Sequence, residues 1–348
     1  MPSPPPAART PAAAQSNRRR ALSLVLILAA LVLACGASLA YGSNPLAFSE
    51  VWEALWHRDD APAMTSAILW EQRWPRTLVA VLAGIGFGVA GALIQALTRN
   101  PLADPGLLGV NAGAGFAIAL GVGAFGLSTT TGYIWCAFIG AGLAAAGVYA
   151  ISATQGAHAS PATLVLAGVA LGAVLTGITR FLSLTSPDTF EAIRHWSVGS
   201  VAGTSLRDAL SAAPLVIAGL LLALALASSL NSLALGDDLA AALGTKVGRT
   251  RVLGIVALTL LAGSATAITG GISFVGLMIP HVVRWFVGPD QRWIIAYSAL
   301  CAPVLVLAAD TVGRVVARPG EIEAGIITAL LGAPVLIALA RRKKAGGL

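Results

Sequence analysis

The chain has 348 residues, of which 57% are hydrophobic and only 11% charged, with a net charge of +7 and a mean hydropathy of +0.82. A soluble globular chain carries roughly a quarter charged residues, so this composition excludes an ordinary soluble enzyme or binding domain. The basic residues are scattered over the ends of apolar runs and form no single patch, which excludes a nucleic-acid surface.

Residues 1–20, rich in Pro, Ala and Arg and without periodicity, read as a disordered tail. Arg18, Arg19 and Arg20 precede the first apolar run, 21–41. A basic triplet before an apolar stretch also suits a secretory or twin-arginine leader, and 32–35 faintly suits a lipoprotein cleavage site. Leu33 stands where such a site needs a small residue, and further long apolar runs follow, so an uncleaved first helix is the simpler reading. The later runs are 77–97, 107–125, 133–152, 161–182, 210–230, 252–269, 272–287, 294–310 and 324–340. Pro280 interrupts the short eighth run, so a broken or re-entrant helix is expected there.

At about 20 apolar residues per crossing, these runs predict an all-α integral membrane protein of about ten transmembrane helices. An even number of crossings puts both ends on one side. The arginine triplet and the basic run Arg341, Arg342, Lys343 and Lys344 place that side in the cytoplasm. Arg99, Lys246, Arg249, Arg251, Arg284 and Arg292 then fall in the inner loops. The protein is expected as a multi-pass component of the cytoplasmic membrane.

The polar stretch 235–251 stands out between apolar runs. Asp237 and Asp238 suit the first turn of a short helix, Leu239 to Leu243 its body, and Gly244 its end, with Lys246, Arg249 and Arg251 following. Such a helix lies outside the bilayer, where its alanines and leucines expose an apolar face suited to a partner.

No motor is visible. The phosphate loop G-x-x-x-x-G-K-[ST] is absent, and Gly244-Thr245-Lys246 has the wrong spacing. An ion-coupled carrier would keep ionisable groups well inside the spans, whereas Arg180, Asp310 and Arg314 fall at span ends. His57, His158, His195 and His281 have no metal-ligand spacing, and Cys35, Cys136 and Cys301 lie scattered in apolar runs. No resident cofactor or catalytic residue is expected.

Several long segments carry a resemblance. RWPRTLVAVLAGIGFGVAGALIQALTRNPLADPGLLGVNAGAGFAIALG over 73–121, LGDDLAAALG over 235–244, GGISFVGLMIPHVVR over 270–284 and ALLGAPVLIAL over 329–339 resemble the permease family of ATP-binding-cassette importers for iron-siderophores, haem and vitamin B12. TRNPLADPGLLGVNAGA, NSLALG, GSATAI and GLMIPHVVRW lean toward its ferric-enterobactin branch, hence a catecholate siderophore; haem, cobalamin or another metal chelate is the alternative.

The resemblance implies a type II importer permease domain over 21–344 with coupling helices near 231–250. It implies that Leu235, Gly236, Asp237, Asp238, Leu239, Ala240, Ala241, Ala242, Leu243 and Gly244 meet a cytoplasmic ATPase dimer, which binds ATP and Mg. It implies that Arg73, Arg76 and Arg314 meet acidic residues of an extracytoplasmic siderophore-binding protein, although arginines at span ends also anchor helices at lipid headgroups. Gly168, Gly172, Thr176 and Arg180, at i, i+4 spacing on the fifth run, are expected on one face lining a path shared with a second, related permease chain. A small-residue face that serves only helix packing is the alternative.

Two departures stand out. Glu323 occupies a place where the family usually has proline, adding a carboxylate that would repel an anionic cargo, and 290–292 reads Asp-Gln-Arg where Asp-His-Arg is usual.

Overall fold

A computed structural model describes residues 11–58, 61–153 and 161–342, and every regular element among them is a helix. The chain begins with α1 (Pro11–Ala40) and the short α2 (Phe48–Trp56). Next come α3 (Ala63–Thr98), α4 (Val110–Phe125), α5 (Thr130–Ala153), α6 (Pro161–Thr185) and α7 (Pro187–Val198). The remainder is α8 (Leu206–Leu233), α9 (Asp237–Ala242), α10 (Val247–Thr269), α11 (Val275–Val287), α12 (Gln291–Val316) and α13 (Ala324–Arg342).

Seven of these are long and apolar enough to cross a membrane, and three shorter apolar helices, at Val110–Phe125, Val275–Val287 and Ala324–Ile337, complete the bundle. The expected runs therefore all reappear as helices, but their ends moved. Helix α1 starts at Pro11, so residues 11–20 of the expected tail are helical, while 1–10 lie outside the described residues. Proline at a first helical position followed by three alanines favours that start. Helix α3 starts at Ala63 rather than 77. Trp74-Pro75 lies inside it, and since proline cannot donate to the carbonyl four residues back, the turn just before it, Ile68–Arg73, widens to π geometry. Pro280 does not break α11, which is short because Gly270 to Phe274 precede it in irregular form.

Helix α3 is the axis of the bundle. Nearly all its residues from Val79 to Thr98 are buried, while α1 lies at the periphery with most of its apolar side chains uncovered. Glycines make the close approach possible. A Cβ on Gly84 or Gly88 would overlap the α12 backbone at Pro303 or the Ala302 side chain, and one on Gly91 would overlap the carbonyl of Gly276. These i, i+4, i+7 positions let α12 and α11 lie directly on α3, where contact between backbones replaces side-chain interdigitation. Gln95, 2% exposed, locks the same junction: it donates to Leu277 O (3.2 Å) and accepts from Arg284 Nη1 (2.7 Å).

Candidate functional site

Two polar assemblies stand at opposite ends of α3. The first gathers the C-terminus of α1, the first half of α3, the end of α12 and the connection 317–323. Asp310 is its centre, fully buried. Arg76 grips it with Nε (2.9 Å to Oδ1) and Nη2 (2.6 Å to Oδ1), and Arg314, one turn further along α12, reaches its Oδ2 at 2.9 Å. The remaining arm of Arg76, Nη1, donates to Glu321 Oε2 at 2.7 Å. Ser43 Oγ donates to the other Glu321 oxygen at 2.9 Å.

The arginines also end α1. Arg73 Nη1 donates to Leu39 O (2.7 Å) and Ala40 O (2.8 Å), and its Nη2 to Asn44 O (2.6 Å). Arg314 donates to Ser38 O (3.1 Å) and Ser38 Oγ (2.9 Å), and Arg318 to Gly42 O (2.6 Å). The last carbonyls of a helix lack intrahelical donors and carry the negative end of its dipole, so cationic donors are the natural cap.

Glu321 lies outside the spans. Burial alone would raise its pKa, but the hydrogen bond and charge of Arg76, with the Ser43 hydroxyl and Arg314, hold it below the ordinary 4.5.

Arg73, Arg76 and Arg314 thus come together in one assembly, but not as an exposed charged surface. Arg73 is 4% and Arg314 2% exposed, and the hydrogen bonds they make are to groups inside the protein, the buried Nε of Arg314 being left without an acceptor. Helices α3 and α12 extend past the apolar runs, so Arg73 and Arg76 lie within α3 and Asp310 and Arg314 in the last two turns of α12.

The second assembly is α9. Gly236, with φ +104°, turns the chain out of α8, and Gly244, with φ +83°, turns it toward α10. Asp237 accepts from Arg251 Nη2 at 2.8 Å and lies 3.5 Å from Arg99 Nη2. Arg99 is itself the left-handed residue that ends α3 (φ 50°). Exposed pairs of this kind contribute about 0–1 kcal/mol each, so they orient α9 more than they stabilise it. Leu235, Leu239 and Leu243 are 58%, 58% and 66% exposed, and Ala241, Ala242 and Gly244 are exposed too. Ala240 is the exception: it is fully buried and points into the bundle.

The α6 stripe is not one face. Gly168 is buried under the turn at Leu107 and Leu108, with no room for a Cβ, and Gly172 is half-buried beside Ala112. Thr176 and Arg180 are exposed. Steps of four residues overshoot a 3.6-residue turn by about 40° each, so three steps rotate the stripe by about 120°, from the packed side of α6 to its open side. The open side carries Leu166, Val169, Val174, Phe181 and Leu184.

Beside the first assembly lies a cavity of about 630 Å³ between the α4–α5 connection, α7 and the start of α13. Asp188, Glu191, Glu323, Tyr133, Ser200 and Trp196 are among its walls, and the buried indole N–H of Trp196 has no acceptor. Of these the sequence reading singled out only Glu323. Asp310 and Glu321 were also missed as partners of the arginines, although Asp310 and Arg314 stand at i, i+4, the spacing of a helical ion pair. Cys35, Cys136 and Cys301 are free thiols, and no cluster suited to a metal occurs among the described residues.

The model of the FecCD transport family matches residues 27–342. The ferric enterobactin transport system permease protein FepD of Escherichia coli K12 is 47% identical over 330 residues, covering 94% of this chain and 97% of that protein. The hemin transport system permease protein HmuU of Yersinia pestis is 33% identical over 334 residues, covering 93% and 96%. Among solved structures, an inward-facing conformation of a metal-chelate type ABC transporter matches with a TM-score of 0.81 at 27% identity, covering 92% of this chain and 98% of that one.

Proposed function

Because this chain belongs to the FecCD transport family, whose members are membrane permeases of ABC importers, we propose that it is the permease that carries a ferric siderophore of the catecholate, enterobactin-like class across the cytoplasmic membrane. The 47% identity to FepD along almost the whole of both chains carries the cargo reading. The chain performs no covalent chemistry. A cytoplasmic ATPase dimer binds ATP with Mg and hydrolyses it.

The exposed leucines on and beside α9 supply what that ATPase needs to grip. A protein whose short surface helix and its two flanks show three large aliphatic side chains, Leu235, Leu239 and Leu243, held in place by Asp237, Arg99 and Arg251, presents a ready apolar ridge. This end faces the cytoplasm with both termini, and the Arg76 end faces outward. There the arginine cluster, four cations with two carboxylates, keeps a net positive charge toward an acidic siderophore-binding protein. The open apolar side of α6, with Thr176 and Arg180, lies against a second permease chain, related but not identical, and lines the path between them.

A second reading of the cargo has its own support. Asp188, Glu191 and Glu323 around the outer cavity disfavour a strongly anionic complex, so cobalamin, haem or another metal chelate of lower negative charge remains a rival within the same importer class.

The test is uptake into vesicles holding this chain with its partner permease and ATPase, supplied with binding protein. ATP-dependent accumulation of radiolabelled ferric enterobactin is expected, and none without the ATPase. Accumulation of cobalamin or haem with no ferric enterobactin would transfer the cargo to the rival. Uptake that needs no ATPase and collapses with an ionophore would overturn the importer reading itself.

A further inference from the structure

Glu321 differs from every other member of the arginine cluster in being replaceable. Asp310 is fully buried on a helix and held by two guanidinium groups. Arg73 and Arg318 donate to backbone carbonyls, and Arg314, apart from its buried Nε, is held by Asp310, Thr311 and Ser38. Glu321 sits on the connection between α12 and α13, with its side chain 28% exposed, and is held by one arm of Arg76 and by Ser43. It also closes a crevice of about 30 Å³ whose walls include Arg73, Arg76, Arg314 and Gln72. A single water needs about 10–15 Å³, so that space admits a water or two but no second carboxylate while Glu321 is seated.

We infer that Glu321 is an internal stand-in for the partner's carboxylate: it occupies on Arg76 the place that an acidic residue of the binding protein takes, and docking exchanges one carboxylate for the other. The inference rests on the reading of this end as the docking face. The exchange keeps Arg76 paired throughout, so no buried guanidinium is left bare at any stage. It also weakens docking, because the incoming carboxylate must displace a resident one. An acidic partner therefore engages only where its carboxylate is supported by further contacts, which favours the matched surface over a stray anion. The freed Glu321 leaves the connection 317–323 without its tie to α3, so docking is felt at the start of α13.

The experiment is affinity of the full permease assembly in nanodiscs for its binding protein loaded with ferric enterobactin, without nucleotide. Glu321→Gln keeps size and hydrogen bonding but removes the competing charge, and it should tighten Kd about two- to fivefold, the range of one partly exposed ion pair. Neutralising the surface acids of the binding protein one at a time should find one whose loss weakens wild-type binding and cancels the Glu321→Gln gain. Arg76→Lys, which preserves a cation for Asp310, should weaken binding and also cancel the gain. Equal or weaker binding by Glu321→Gln overturns the exchange, and if Arg76→Lys still weakens binding in that case, the docking reading stands. If neither Arg76→Lys nor any partner acid matters, the docking reading fails as well.

Discussion

The two ends of α3 solve opposite problems. At the Arg76 end charge is gathered inside the protein and spent: four arginines meet two carboxylates and the terminal carbonyls of α1, leaving little for a visitor. At the Asp237 end a few exposed ion pairs hold up a helix that, with its flanks, leaves three leucines largely exposed. On the docking proposed above, the first end is engaged by exchange and the second by addition. Substitutions at the first should therefore be felt mainly in folding, and at the second mainly in transport.

The sharpest test of that contrast is Asp310→Ala, which removes the buried carboxylate that Arg76 and Arg314 share. Loss of one partner of a buried ion pair costs about 3–5 kcal/mol, so this variant should lose most of its thermal stability in detergent. A melting temperature within a degree or two of wild type would erase the distinction between the ends. Next in size, Leu239→Arg should lower coupled uptake by roughly tenfold or more while melting like wild type, as expected of a large side chain at the centre of an interface. Ala240→Arg, one residue on, should instead fail to fold, since that methyl is enclosed. Matching behaviour of the two variants would show that the face of α9 does not matter.

Smaller effects divide α6 in the same way. Gly168→Leu forces a side chain into the backbone at Leu107 and should cost about 1–3 kcal/mol, measured by thermal unfolding. Gly177→Ala, which meets open space on the same helix, should gain up to about 1 kcal/mol from helix propensity. The smallest expected effect is with pH. Glu321 titrates lower in the folded protein than its ordinary 4.5, so its contribution is complete above that value and is lost as pH falls through the depressed pKa. Melting temperature should drop below pH 4.5 more steeply for wild type than for Glu321→Gln.

The bundle was legible because each crossing is a long apolar run that must satisfy its backbone internally, which in a membrane means a helix. The limits of those helices were not. Hydropathy stops at the first charge, whereas α12 continues through Arg314, which pairs with Asp310 one turn back on the same helix, and α3 continues through Arg73, held by carbonyls at the end of α1, and Arg76, whose counterion another helix supplies. That partner is remote in sequence, 234 residues from Arg76 to Asp310, so no local pattern reveals it. The small helices α2 and α7 escaped for the converse reason, being too short and mixed in polarity to register as runs. The reading of α9 fared better because its aspartates and flanking glycines are local signals, but which alanine faces inward depends on where α8 and α10 lie. On α6, the spacing of Gly168, Gly172, Thr176 and Arg180 suggested a common face only because the 0.4-residue excess per step was neglected.

Arg99 ends the same helix that bears Arg76 in its first half, and this gives α3 a mechanical role. At about 1.5 Å per residue the two guanidinium-bearing positions are roughly 35 Å apart on one continuous rod. Glycine contacts leave no soft layer between that rod and α11 or α12. A tilt of about 5° over that length swings the far tip by about 3 Å, enough to break or make the Arg99 contact with Asp237. The rod is a lever whose two tips register the same movement, so the arginine assembly and the α9 assembly are geared together by a single element.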